Sequence, residues 1–319
     1  MAAINISKNK SGRGRMPSAE TQAVCDHIRK VMRAGGGDDP IANLRTSFDD
    51  YAKVSEETMQ VTGKVQNISV DGVPCAWHSH PDSDEDRRLM YLHGGGYMAG
   101  GLYSHGALAS RLSKAAGCAV LMVDYRLAPE HAFPAPVEDA TKAFKWMLEN
   151  GPNGPSAARK TFISGDSAGG GLTLATMMAL RDAGDPLPTA AIPISAWADL
   201  AHTGETMKTR ADVDPIAGGD AMDALVMAYL QGRKPQETPL GSPLYGDFSG
   251  LPPMLFHVGD AETLLDDSRR CHEKAKAAGV DSQIEVWDDM PHVWHLFAPY
   301  LPQASQAIDR IGEFVRGHS

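Results

Sequence analysis

Apolar positions near the start of the chain recur at helical spacing: Val24, Ile28 and Val31 share one face of a helix expected to begin at Ser18. Gly35, Gly36 and Gly37 end it, and a second short helical stretch is expected over residues 41–51. The period then changes to two. Residues 65–70 and 73–80 flank Asp71-Gly72, the two-residue turn that most favours a hairpin. From there short apolar runs alternate with longer helical ones. Strands are expected at 89–93, 119–124, 161–164, 190–195, 254–258 and 282–287, and helices at 105–116, 137–149, 168–182, 263–278 and 302–316. Runs such as AVLMV at 119–123 are apolar on both faces, as strands inside a parallel sheet must be. The pattern predicts an α/β fold with helices covering both faces of the sheet.

The alternation lapses between Trp197 and about residue 240, where the text carries Met207, Met222, Met227 and Gly218-Gly219. Residues 197–235 read as an insertion that packs over the sheet beside the N-terminal helices. Residues 1–15 are polar, rich in Gly, Ser, Lys and Arg, and read as disordered.

Charge narrows the partners. Lys and Arg total 30 against 40 Asp and Glu, a net charge of −10, which repels phosphate backbones; nucleic acid is not expected as a partner. No stretch of about 18 uncharged apolar residues occurs, so no membrane span is expected. The four cysteines, Cys25, Cys75, Cys118 and Cys271, are scattered without metal-site spacing and read as buried thiols in a reducing compartment, with the cytoplasm the simplest address.

Candidate chemistry begins at Gly165-Asp166-Ser167-Ala168-Gly169, directly after a predicted strand and opening a predicted helix. So tight a turn needs residues without side chains two before and two after the serine, and it lifts the hydroxyl of Ser167 off the sheet end. Upstream, His93-Gly94-Gly95-Gly96 follows an earlier strand, where bare backbone N–H groups can meet a developing oxyanion. Gly94 and Gly95 are the expected donors, joined by Ala168. A nucleophilic serine needs a base oriented by an acid. Chain order and loop position select His292 from twelve histidines, with His295 the competitor and His257 a packed strand residue. Asp260 and Glu262 both lie in the loop after strand 254–258, and position alone leaves both open as the acid.

Five segments in order, HGGGY (93–97), DYRLAPEHAFPAP (124–136), GDSAGGGL (165–172), VGDAETLLDDS (258–268) and MPHVWH (290–295), resemble the bacterial hormone-sensitive-lipase-like carboxylesterases. The resemblance runs from about residue 89 to the C-terminus. It implies an α/β-hydrolase fold with a mostly parallel sheet of about eight strands. A helical cap would be built from residues 1–50 and 197–235 over a core of 51–196 and 236–319. The motif's register puts Glu262 at the acid position and makes Asp266 a later, structural carboxylate. An aspartate more commonly accompanies GDSAG, so Asp260 stays in view. The resemblance also implies that residues 125–130 brace the oxyanion loop and that Asp166 is a positioning residue.

The expected activity is therefore hydrolysis of short-chain carboxylic esters through an acyl-enzyme, with Ser167 as nucleophile, His292 as base and Glu262 as acid. A lactonase or an amidase would use the same three residues. A non-catalytic receptor, as the plant gibberellin receptors are within this resemblance, is the alternative of another class. No cofactor or metal is expected. The segment 283–287 is expected to be an edge strand through which two copies could pair as a homodimer.

Overall fold

The computed structural model describes residues 17–33, 38–216 and 219–318, the side chains of residues 219 and 220 excepted. The expectations for residues 1–15 and for Gly35 to Gly37 fall outside these residues. Helices α1 (Ala19–Arg33) and α2 (Pro40–Asp50) precede a hairpin of strands β1 (Lys64–Val70) and β2 (Val73–Ser79). The hairpin turn is Asp71-Gly72, with φ of 46° and 89°, and Val70 pairs with Val73 across it. Positive φ at both turn residues matches the right-handed twist of the two strands.

Strand β3 (Asp84–Leu92) leads to α3 (Leu102–Ala116), then β4 (Cys118–Val123) and α4 (Ala135–Glu149). A small ribbon of β5 (Asn150–Gly151) and β6 (Gly154–Pro155) follows. Next come β7 (Lys160–Asp166), α5 (Ala168–Ala183) and β8 (Ala190–Ile194). The segment rich in methionine holds α6 (Thr206–Thr209) and α7 (Gly219–Leu230). The chain closes with β9 (Met254–Gly259), α8 (Leu265–Ala277), β10 (Ser282–Trp287) and α9 (Pro302–Gly317).

Among the described residues the main sheet has eight strands in the order β1-β2-β4-β3-β7-β8-β9-β10. Pairing is parallel from β4 through to β10, while β2 runs antiparallel to both β1 and β4. The sheet is thus the mostly parallel α/β architecture that the apolar runs imply. Strand β4 shows why. Its six residues are all buried, with Cys118, Val120 and Met122 joining the core on one face and Ala119, Leu121 and Val123 the core on the other. Helices α4, α5 and α8 pack on the second face, and α1, α3 and α9 on the first.

Strand β3 starts five residues before its apolar run, in the charged text Asp84 to Arg88. Arg88 makes this tolerable. Its guanidinium is fully buried but donates to the carbonyls of Met147 and Ser156 at 2.8 and 2.9 Å and to Ser156 Oγ at 2.6 Å. These bonds satisfy the buried guanidinium, while burial still pulls its pKa below the ordinary value. Cys75, Cys118 and Cys271 are buried and Cys25 half-buried, and all four are free. No helix among the described residues is long and apolar enough to cross a membrane.

Candidate active site

The loops that carry the candidate residues all leave the carboxyl ends of parallel strands, where open α/β sheets place their ligands. Ser167 sits between β7 and α5 with φ 54° and ψ −120°, a strained conformation for a residue with a side chain. A Cβ at Gly165 would lie 2.3 Å from the Gly169 carbonyl oxygen, and one at Gly169 would lie 2.0 Å from that of Leu92, so both flanking positions exclude any other residue. The Ser167 N–H donates to the Ile194 carbonyl at 2.9 Å, which ties the turn to β8.

The glycine loop after β3 differs from expectation in one respect. Gly94 donates its N–H to Asp166 Oδ1 at 3.1 Å, so that donor is already committed inside the protein. Gly95 and Gly96 instead line the cavity that holds Ser167, both at positive φ, 122° and 63°. Ala168 opens α5, and the first N–H of a helix has no intrahelical partner. Of the expected donors, Gly94 therefore points its N–H into the protein, while Gly95 borders the cavity beside Ser167 and Gly96 joins it there. The third glycine of the run was the available signal for Gly96.

Asp166 organises this loop. Besides Gly94 it accepts the Tyr91 hydroxyl at 2.6 Å, and its Oδ2 lies 3.4 Å from His105 Nε2. Burial opposes its ionisation, but the charge of His105 and these hydrogen bonds outweigh burial and hold its carboxyl below the ordinary value. From the other side, the Tyr125 ring stacks on His93 at 4.3 Å and its hydroxyl donates to the His93 carbonyl at 2.6 Å. Ala128 N–H reaches the Tyr97 carbonyl at 2.8 Å. These are the contacts by which residues 125–130 brace the loop.

His292 and Glu262 meet. His292 Nδ1 is 2.6 Å from Glu262 Oε2, and the carboxylate is fully buried. Its other oxygen accepts the Gly259 N–H at 2.6 Å and the Ser195 hydroxyl at 2.8 Å. Burial alone would push His292 down; the charge and hydrogen bond of Glu262, then the charges of Asp214 and Asp166, more than compensate and raise it above the ordinary imidazole value. Asp260 is placed differently: its Oδ1 accepts the Asp289 N–H at 2.7 Å, and burial raises its carboxyl. The structure brings Glu262, and not Asp260, to the histidine. His295 is fully buried, with Nε2 3.2 Å from Nδ1 of His257, and belongs to the packing behind the loop.

Two contributors were not foreseen. Ser195, at φ 44° just past β8, donates to Glu262 and accepts the Val293 N–H at 3.3 Å. Asp214, in the insertion, has no sequence motif around it. Both lack any local signal because their partners lie 67 and 49 residues away. The cavity itself, about 70 Å³, is walled by Ser167, His292, Gly95, Gly96 and Trp197. It is roofed by Phe48 and Tyr51 from the N-terminal segment and by Met222 and Leu225 from the insertion.

A family model described as alpha/beta hydrolase fold matches residues 89–296. An acetyl-hydrolase of Streptomyces hygroscopicus is 45% identical over 250 residues, covering 78% of this chain and 81% of that protein. A carboxylesterase/phospholipase of Mycobacterium tuberculosis, LipF, is 31% identical over 299 residues, covering 91% of this chain and 78% of its own. The crystal structure of an esterase from the bacterial hormone-sensitive lipase family superposes with a TM-score of 0.87 at 44% identity, covering 95% of this chain and 99% of that one. A serine-bearing elbow, a buried histidine–carboxylate pair across the same cavity and these relatives agree, and the chain belongs to the hormone-sensitive-lipase-like serine carboxylesterases of the α/β-hydrolase fold.

Proposed function

We propose that Ser167, His292 and Glu262 form the catalytic triad of this esterase and that its substrates are short-chain esters. Ser167 Oγ attacks the ester carbonyl while His292 Nε2 takes its proton. Glu262 holds the imidazole through Nδ1–H and stabilises the imidazolium. The N–H groups of Gly95, Gly96 and Ala168 receive the oxyanion. His292 then protonates the leaving alcohol, and in the second half-reaction it activates the water that releases the acid. The single observation that carries this reading is the 2.6 Å bond from His292 to a fully buried Glu262, in the wall of the cavity that also holds Ser167.

The apolar side chains of Phe48, Met222 and Leu225 in the cavity wall suit an acyl group, and the similarity to an acetyl-hydrolase supports the short-chain preference. Residues 1–50 and 197–235 act as the cap in this reading, supported by Phe48 and Leu225 lining the cavity, over a core of 51–196 and 236–319. The cytoplasm is the proposed compartment, on the spacing of the four cysteines. Strand β10 ends the sheet order, which supports pairing of two copies along residues 283–287. Light scattering that finds only a 34.1 kDa species would exclude that dimer.

Hydrolysis of p-nitrophenyl esters from acetate to palmitate tests the rest, with Ser167→Ala, His292→Ala, Glu262→Ala and Asp260→Ala run alongside. Rapid turnover of short chains, lost in the first three variants and kept in the fourth, is expected. Full activity in Ser167→Ala would sink the triad, and equal turnover of palmitate would sink the short-chain preference.

A further inference from the structure

The insertion does more than roof the cavity: residues 206–214 clasp the outer side of the loop that carries Glu262. Thr206 Oγ1 donates to the Thr263 carbonyl at 2.8 Å, and Arg210 Nε to the Asp260 carbonyl at 2.6 Å. Asp214 completes the clasp. Its Oδ1 caps its own turn by accepting the Ile216 N–H at 2.9 Å, while Oδ2 accepts both the N–H and the hydroxyl of Thr263, at 2.7 and 2.8 Å. Thr263 is the residue next to Glu262. Asp214 is buried, and it lines the same cavity as His292.

We propose that Asp214 is a positioning residue for the catalytic base: it holds the acid loop to the insertion through Thr263 and sets a second buried carboxylate near His292. This rests on the triad reading above. The charged groups that bear on His292 from the elements packed around it are Glu262 from the acid loop, Asp214 from the insertion and Asp166 from the elbow. Asp288 and Asp289 lie on its own loop, and the Tyr51 hydroxyl donates to its backbone carbonyl at 3.0 Å. With Asp214 in place, the insertion contributes to the basicity of the histidine as well as to the shape of the cavity. Removing it would leave the imidazolium with one fewer counter-charge in a site where burial disfavours it.

Asp214→Asn separates charge from grip. The amide oxygen takes the place of Oδ2 and keeps both bonds to Thr263, and only the negative charge and the Ile216 bond are lost. The acidic limb of kcat/KM is expected to move to lower pH by about half a unit to one unit, as removal of one partly screened counter-charge requires. On the plateau kcat is expected to fall roughly 3- to 30-fold with KM within about twofold, since the charge acts on the base and not on ground-state binding. Thr263→Val keeps the charge and loses a bond, so its limb stays where the wild type has it. Asp214→Ser, which loses the charge together with the grip, carries the same expectation for the limb should the asparagine variant not accumulate. An unmoved limb in a folded Asp214→Asn, or failure of both Asp214 variants to fold, would overturn the proposal in favour of a purely structural latch. His292→Ala distinguishes the two levels: if it retains hydrolysis the triad reading fails, and if it is inert while the Asp214→Asn limb is unmoved only the role of Asp214 fails.

Discussion

Replacing Glu262 by glutamine changes the chemistry of one atom and almost nothing of the shape, yet the surrounding hydrogen bonds make the consequence severe. Glu262 Oε1 receives two donors, the Gly259 N–H at 2.6 Å and the Ser195 hydroxyl at 2.8 Å. In the variant the amide carbonyl must occupy that side, because an NH₂ there would face two donors. The NH₂ then faces His292 Nδ1, which in the wild type lies 2.6 Å from Oε2. That nitrogen becomes an acceptor, the ring proton moves to Nε2, and the atom that should take the serine proton already carries one. Lost stabilisation of the imidazolium adds to the wrong tautomer. Two unit charges about 4 Å apart at an effective dielectric near 20 attract by about 4 kcal/mol, which corresponds to roughly a thousandfold in rate. The expected result is a loss of kcat of about a thousandfold or more in Glu262→Gln, with a thermal midpoint close to wild type because both donors to the carbonyl are kept. Glu262→Ala, which lets the ring choose either tautomer, is expected to be no worse. The assay is steady-state hydrolysis of p-nitrophenyl butyrate across pH. In the wild type, activity should rise with pH through a value above about 6.5, since the base must be neutral and its neighbours raise it. A folded glutamine variant within tenfold of wild type would refute the reasoning.

Leu225 hangs over Gly96, where a glycine Cβ would meet its Cδ1 at 2.7 Å. Leu225→Ala should therefore enlarge the cavity and raise kcat/KM for hexanoate relative to acetate; an unchanged chain-length profile would remove this residue from the acyl wall. Tyr125→Phe deletes the 2.6 Å bond to the His93 carbonyl and should cost about 0.5–1.5 kcal/mol of stability, read by denaturant unfolding, together with some turnover as the glycine loop slackens. Asp267 is fully buried and its carboxyl is pushed up to about 8 by burial, against the backbone N–H groups of Asp199 and Ala198 that favour its charge. Its folded form holds a proton that the unfolded chain has already lost, so it favours folding below about pH 4 and that contribution disappears as pH rises to about 8. Asp267→Asn should flatten this dependence; a variant whose thermal midpoint falls between pH 5 and 8 as steeply as the wild type's would contradict it.

Much of the architecture was legible in the chain because its causes are local. A two-faced apolar run such as residues 119–123 can only be an interior strand, and Asp71-Gly72 can supply the two positive φ angles of a tight hairpin. The serine elbow was legible for the same reason, since its glycines answer to backbone atoms within a few residues or on the adjacent strand. The early start of β3 was not, because the charged text at 84–88 becomes strand only when Arg88 finds carbonyls 59 and 68 residues away.

At the site the division is sharper. Chain order placed a serine, a carboxylate loop and a histidine in sequence, but Asp260 and Glu262 stood two residues apart with equal reach. Only the folded loop shows one carboxylate turned to His292 and the other to the Asp289 N–H. Likewise the three glycines after His93 were readable as bare backbone, whereas the commitment of Gly94 to Asp166 arises from packing β3 beside β7. Periodicity and turn chemistry act over a few residues and are written in the chain. Which donor faces which oxygen depends on distances between segments tens of residues apart, and those distances exist only once the sheet and the insertion have packed together.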